Sequence, residues 1–167
     1  MEFIVYNQEI KNNPFILEFV FSTLGENLSH VYGNDMITPQ SKNEWIKNNL
    51  LSSSTTWRIV IAYHNAIPCG FLIYTIKDEV LVINDIEIVK KFQGNPFVFR
   101  GLFLKAFQDE NKNWNKINGY INDKNELSQR NFIKLATNKI KTPRGVIVEI
   151  DKDTIVQKYF PNTNKIR

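Results

Sequence analysis

One cysteine, Cys69, stands among the 167 residues, so the chain can form no internal disulfide, and a lone thiol is no metal framework. The two histidines, His30 and His64, lie far from any matching cluster of ligands, and no metal site is expected. Long apolar runs are missing as well. Those around Phe15–Phe21 and Val80–Ile83 fall well short of the roughly 20 residues that a membrane helix needs. The opening MEFIVYNQEI has none of the basic-then-apolar layout of a signal peptide, so a soluble, cytoplasmic protein without a membrane partner is expected. No repeat, linker or low-complexity segment divides the chain, which predicts a single domain over 1–167.

What is present is a globular composition: 43% hydrophobic, 13% aromatic and 23% charged residues, too apolar for a disordered chain. The formal charge of +4 would draw polyanions. Yet lysine and asparagine together fill 37 of 167 positions, scattered along the whole chain, and the local basic groups (Lys90-Lys91, Lys139-Ile-Lys141, Lys165-Ile-Arg167) are short. A nucleic-acid partner is therefore not expected, while a mild positive field would still help recruit a polyanionic cofactor.

Taken in order, FIVY (3–6) reads as a short strand. Asn13-Pro14 starts a helix whose apolar pattern Gly25 weakens or ends, and Ser41 with Glu44 forms a capping box for a second helix running to Leu50. The polar run Ser52–Thr56 is a connection. Strands over 57–63 and 70–76 flank a turn at Asn65 and Pro68, and 77–79 turns the chain again into VLVINDIEIV, so an antiparallel meander is predicted. A helix over 95–111 follows, and Gly101 inside it, at a cost of roughly 1 kcal/mol against alanine, predicts a close helix–sheet approach. A strand over 116–122, a helix over 125–137 and a last strand VIVEI after Pro143 and Gly145 complete the pattern. This β–α–β–α–β run predicts parallel pairing with helices covering the sheet, and the terminal PNTNKIR is expected to fray.

Residues 80–107 organise the rest. A long apolar strand runs into a polar turn with Gln93 and Gly94, and Asn95-Pro96 opens the helix. Such a unit brings backbone N–H groups and the positive end of a helix dipole to one place, where an anion can sit. Geometry alone leaves a plain core connection as the alternative.

The order strand, two helices, three meandering strands, helix, strand, helix, strand resembles the GNAT acyltransferase superfamily. IVKKFQGNPFV is similar to that family's V-x-x-x-x-(Q/R)-x-x-G-x-(G/A), with Ile88 in the strand position and Gln93 in the Gln/Arg position. NELSQRNFIKLAT is similar to its N-x-x-A-x-x-x-Y-x-K-x-G-F segment, with Asn125, Ser128, Phe132, Lys134, Ala136 and Thr137 in the corresponding places. The resemblance implies an α/β (α+β) fold: a mixed sheet of six to seven strands, antiparallel in its N-terminal meander, with helices on both faces. It implies transfer of an acetyl or other acyl group from acyl-CoA to an amine, which is a small molecule, a peptide N-terminus or a lysine. By the same resemblance the amides of Gly94, Asn95, Phe97 and Val98 face the cofactor's pyrophosphate in the turn that holds Gln93. The backbone at Ile88 and Val89 pairs with pantetheine, Asn125 touches that arm from the other side, and Phe132 packs where a tyrosine usually stands. Period-two alternation puts Asp85 and Glu87 on one face of the strand, flanking the acyl position, where a carboxylate general base is needed to neutralise the amine. Their other reading is that of solvated or ion-paired strand residues. The resemblance also carries the expectation of a homodimer.

Three positions depart from the family pattern. Pro96 stands at the first glycine and removes an N–H, Val98 stands at the second, and Phe132 lacks the proton donor of a tyrosine. Two functions are therefore open: an N-acyltransferase, or a GNAT-fold binding protein without catalysis. Tyr120 is read as a substitute acid or as core, His64 as surface and Cys69 as packing. Phe97, Phe99, Phe103 and Phe107 are read as core, and Tyr32 and Trp45 as acceptor-site or packing residues.

Overall fold

Between Trp57 and Ile88 the sequence is dense in β-branched and aromatic residues, and the chain there runs as three strands joined by two-residue turns. A computed structural model describes residues 1–7, 10, 12–32, 38–49, 57–110 and 113–159. They form β1 (Glu2–Tyr6), α1 (Pro14–Tyr32), α2 (Pro39–Asn49), β2 (Trp57–His64), β3 (Ile67–Lys77), β4 (Val80–Ile88), α3 (Pro96–Asp109), β5 (Lys116–Asn122), α4 (Glu126–Phe132), β6 (Asn138–Thr142), β7 (Gly145–Asp151) and α5 (Lys152–Tyr159). The expected connection Ser52–Thr56, Leu50, the terminal 161–167 and the side chains of His30 and Tyr32 lie outside the described residues. The strands make one mixed seven-stranded sheet in the order β1-β2-β3-β4-β5-β7-β6. No helix among the described residues is long and apolar enough to cross a membrane.

By contacts the chain divides into two compact units, one of residues 1–75 and 85–109, the other of 76–84 and 110–167. In the first, β1 pairs antiparallel with β2 and β2 with β3, with Ile4 opposite Ile61 and Ile61 opposite Phe71. Ile16, Val20 and Leu24 of α1 pack with Trp57, Ile59, Ile61, Phe71 and Ile73, all buried. Alternation turns Val60, Ala62, Leu72 and Tyr74 to the opposite face, also buried, where α3 brings Val98, Leu102 and Ala106. Each such buried aliphatic or aromatic side chain contributes roughly 1.5–3 kcal/mol relative to exposure. Gly101 sets the approach of α3, because a Cβ there would run into the Phe3 ring of β1.

Several expectations shift in this unit. Gly25 does not end α1, which runs seven residues further to Tyr32; one glycine costs about 1 kcal/mol, and Leu24 and Leu28 on either side of it both pack on the core. The second helix starts at Pro39, not Ser41. Its capping box is Thr38 with Ser41: Thr38 Oγ1 accepts from the Ser41 amide at 3.1 Å, and Ser41 Oγ accepts from the Thr38 amide at 2.8 Å. Pro68 is not a turn residue. The turn is Asn65–Ala66, both left-handed at φ 51° and 62°, and Pro68 pairs with Tyr63 just past a register shift between Ala62 and Tyr63. A proline without an N–H is tolerated at such a bulge.

In the second unit, Val80–Ile83 of β4 pairs parallel with Lys116–Gly119 of β5. The last strand departs from the expected parallel pairing: β7 is antiparallel to β5 and to β6. The unexpected β6 is the reason, since its hairpin into β7 adds one reversal. NKIKT escapes a hydrophobic pattern because it is a mostly exposed edge strand, where lysines discourage further pairing. α4 ends at Phe132, five residues short of the expected 137, and α5, which buries Ile155, was not expected.

Candidate functional site

The C-terminal half of β4 alternates Asp85 and Glu87 with Ile86 and Ile88. Ile88 Cγ1 comes 3.4 Å from where a Gly70 Cβ would stand, and Val98 Cγ1 3.3 Å, so the isoleucine faces α3. The two carboxylates therefore face α1. Glu87 Oε2 accepts from Asn27 Nδ2 of that helix at 2.6 Å. Burial pushes both carboxyls up, each to about 7. At Glu87 the Asn27 hydrogen bond works against the rise and the Asp85 charge adds to it.

After Ile88 the chain makes one 3₁₀ turn over Lys90–Phe92, and Gly94 takes a left-handed φ of 82°, a conformation glycine adopts without a steric penalty. The turn uses much of its own hydrogen-bonding capacity. The Asn95 amide donates to the Phe92 carbonyl at 3.1 Å, and Asn95 Oδ1 caps α3 by accepting from the Phe97 amide at 2.9 Å. Val89 N–H donates to the Cys69 carbonyl at 3.0 Å. Among the described residues, the amides of Gly94 and Val98 have no acceptor within the turn itself. Val98's side chain is fully buried against Gly70 and turns away from the turn's surface. Gln93 Nε2 donates to Asn27 Oδ1 at 2.9 Å and to the Ile88 carbonyl at 3.0 Å, and Asn27 Nδ2 reaches the same carbonyl at 3.1 Å. A cavity of about 270 Å³ opens here, lined by Glu26, Asn27, Ser29, Lys90 and Gln93.

Asp85, Glu87, Ile88, Val89, Gln93, Gly94, Asn95, Phe97 and Val98 thus belong to one unit, and Asn27 joins them from α1. Asn125 and Phe132 lie in the other unit. Asn125 caps α4, its Oδ1 accepting from the Ser128 amide at 3.0 Å, and the half-buried Phe132 ends that helix. Asn27 is the residue that sequence reasoning missed, since one asparagine among so many on a helix carries no signal.

Other expectations divide. Phe97 is not core: at 73% exposure it points off the face that buries Val98, Leu102, Phe103, Ala106 and Phe107, one helical step round from Val98. Tyr120 is not core either. It is 52% exposed, and its hydroxyl donates to the Arg144 carbonyl at 2.8 Å. His64 is exposed at its turn, Cys69 is buried with its thiol pushed up by that burial, and Trp45 packs on the core beside Phe21. Among the described residues no group of three or more metal-ligating side chains comes together.

No protein-family model matches this sequence, and no curated protein sequence matches it. Solved structures do match in shape. An acetyltransferase from Streptococcus agalactiae superposes with a TM-score of 0.67 at 16% identity, over 89% of this chain and 98% of that one. The PaiA N-acetyltransferase of Thermoplasma acidophilum, solved with coenzyme A, gives 0.65 at 14% identity over 90% and 99%. A protein of Desulfovibrio desulfuricans described as a GNAT-family acetyltransferase gives 0.62 at 13% over 90% and 99%. This chain has the GNAT fold. The similarity spans nearly the full length of each of these neighbours.

Proposed function

We propose that the chain is a cytoplasmic N-acyltransferase, one domain over 1–167 and homodimeric, that moves an acetyl or other acyl group from acyl-CoA to an amine. The observation that carries this reading is the pair Asp85 and Glu87: two partly buried carboxyls on one face of β4, both pushed up to about 7, immediately before the turn of a GNAT fold. A base with that proton affinity suits neutral pH, since it is ionised in a large fraction of molecules and still holds a proton firmly. The turn fits a pyrophosphate with fewer donors than the resemblance implies. Gly94 and Val98 would supply amides and Lys90 and Lys91 positive charge, whereas Asn95 and Phe97 have their amides engaged and Pro96 has none.

When bound, the cofactor supplies an activated acyl thioester. This chain's own residues then have defined tasks. Glu87 or Asp85, as carboxylate, takes the proton of an ammonium acceptor and leaves it neutral and nucleophilic. Asn27 holds Glu87 in place, and the half-buried Ile88 and the buried Val98 make the strand's other face apolar. The acceptor is an amine small enough to reach that carboxylate, whether free, at a peptide N-terminus or on a lysine.

A second reading, a GNAT-fold binding protein without catalysis, is favoured by one observation: the Ile88 carbonyl already accepts from Asn27 and Gln93. Phe132 also offers no proton to a leaving thiolate. Calorimetric titration with acetyl-CoA and with CoA tests both readings. Binding at about 10–100 μM, roughly −7 to −5.5 kcal/mol, followed by amine acylation that Asp85→Asn or Glu87→Gln lowers at least tenfold, supports the enzyme. Binding without turnover over an amine screen supports the second reading, and no binding at millimolar cofactor removes the first.

A further inference from the structure

Asn27 and Gln93 form a closed arrangement around one carbonyl. A primary amide has two N–H donors and a carbonyl has two lone pairs. Asn27 Nδ2 gives one hydrogen to Glu87 Oε2 and one to the Ile88 carbonyl, while Gln93 Nε2 gives one to the same carbonyl and one to Asn27 Oδ1. All four N–H groups and both lone pairs are thereby engaged. The orientation of the Asn27 amide follows from its neighbours, because a flipped amide would aim its oxygen at both the Glu87 carboxylate and the Ile88 carbonyl. Among the described residues, Gln93 supplies the donor that Oδ1 needs in the arrangement found.

We propose that Asn27 is the positioning residue of Glu87 and that Gln93 acts through it, joining the β4–α3 turn and the carboxylate into one hydrogen-bonded unit. The catalytic meaning of this unit rests on the acyltransferase reading; its existence does not. A ligand amide that pairs with the Ile88 carbonyl must displace Asn27 or Gln93, and either displacement is felt at Glu87 through the bond that Asn27 makes to it. The turn that meets a cofactor and the group that meets the acceptor's proton are coupled in this way over three side chains. The cavity lined by Glu26, Asn27, Ser29, Lys90 and Gln93 opens directly onto this arrangement. Asp85 on the same strand opposes ionisation of Glu87, and Glu26 and Lys90, of opposite sign, are the charged groups among the described residues that line the cavity.

The test is the titration of the Glu87 side-chain carboxyl by carbon NMR in the cofactor-free protein, for wild type, Asn27→Ala, Gln93→Met and the double variant. Asn27→Ala removes the donor, and the midpoint is expected to rise by about one pH unit. Gln93→Met removes no hydrogen bond of Glu87 itself, yet the midpoint is expected to rise in the same direction by a smaller amount. The double variant is expected to match Asn27→Ala, since Gln93 has nothing left to act through. An unmoved Glu87 in Gln93→Met overturns the proposal, and so do fully additive shifts. Gln93 is exposed, so its variant keeps the test available even if Asn27→Ala fails to fold. Absence of acyl-CoA binding would remove the acyltransferase reading while leaving these titrations decisive for the coupling.

Discussion

Asp85 and Glu87 make the stability of the molecule depend on pH. Their ordinary values of 3.8 and 4.5 rise to about 7 on folding, so the folded state holds these protons more tightly than the unfolded one. Their contribution to stability is therefore complete below about pH 4 and is lost as pH rises through 7. Asp85→Asn keeps the shape and removes the buried charge, so it should lose less stability than wild type between pH 5 and pH 8, by about 1–2 kcal/mol. Urea denaturation at both pH values measures this, and equal losses would show that Asp85 stays solvated. Activity should run the other way, rising with pH through about 7 as the base ionises, a limb that kcat/KM profiles display. Ala66 offers a test free of the site. It holds φ 62° at a hairpin turn, and Ala66→Gly should stabilise by up to about 1 kcal/mol, the left-handed penalty outweighing glycine's extra unfolded-state freedom. At this scale the acids were legible because strand alternation alone puts them on one face. Asn27 was not, because its bond to Glu87 spans 60 residues of sequence and depends on where a helix comes to rest.

At the scale of elements, the acyltransferase reading makes the start of α3 the place where helix capping and pyrophosphate binding would compete. Asn95 caps the helix with the oxygen that occupies the Phe97 amide. Asn95→Gly keeps an acceptable N-cap, costs only a few tenths of a kcal/mol and frees that amide. CoA should then bind more tightly, by roughly 1 kcal/mol or about fivefold, in calorimetry; weaker binding would mean the asparagine itself contacts the ligand. α3 also depends on Gly101. Gly101→Ala gains about 1 kcal/mol of helix propensity but places a methyl into the Phe3 ring, so a net loss of about 1–3 kcal/mol is expected. Phe3→Leu in the same chain should recover part of it, as denaturation midpoints would show. The sequence announced α3, β5 and the meander through strong periodicity and turn residues. It hid β6 and α5 because neither carries an apolar pattern of its own: β6 is an edge strand rich in lysine, and α5 buries little beyond Ile155.

For the molecule as a whole, the acyl-CoA proposed as its ligand is polyanionic and the chain is positively charged, so binding and stability would be linked. Ligand at about 100 times its dissociation constant should raise the unfolding free energy by about 2.7 kcal/mol. A thermal-shift series with CoA should show that rise, and it should shrink between 50 mM and 500 mM salt because the attraction is screened. The same series with a neutral pantetheine fragment should be nearly insensitive to salt. Overall topology was readable up to β5 and misleading after it. The β–α–β–α–β order predicts parallel pairing for the last strand, and the extra strand β6 reverses the direction in which β7 runs. Phe3 and Gly101 add a constraint in time. The ring that α3 rests upon is synthesised about a hundred residues before the glycine that receives it. At about 5–20 residues per second on the ribosome, β1 can meet β2 well before translation reaches α3, yet its phenylalanine waits a further several seconds for its slot. During that interval an apolar ring on a sheet edge stays uncovered, and chaperone capture of nascent chains should be greatest for lengths between the end of β2 and the end of α3.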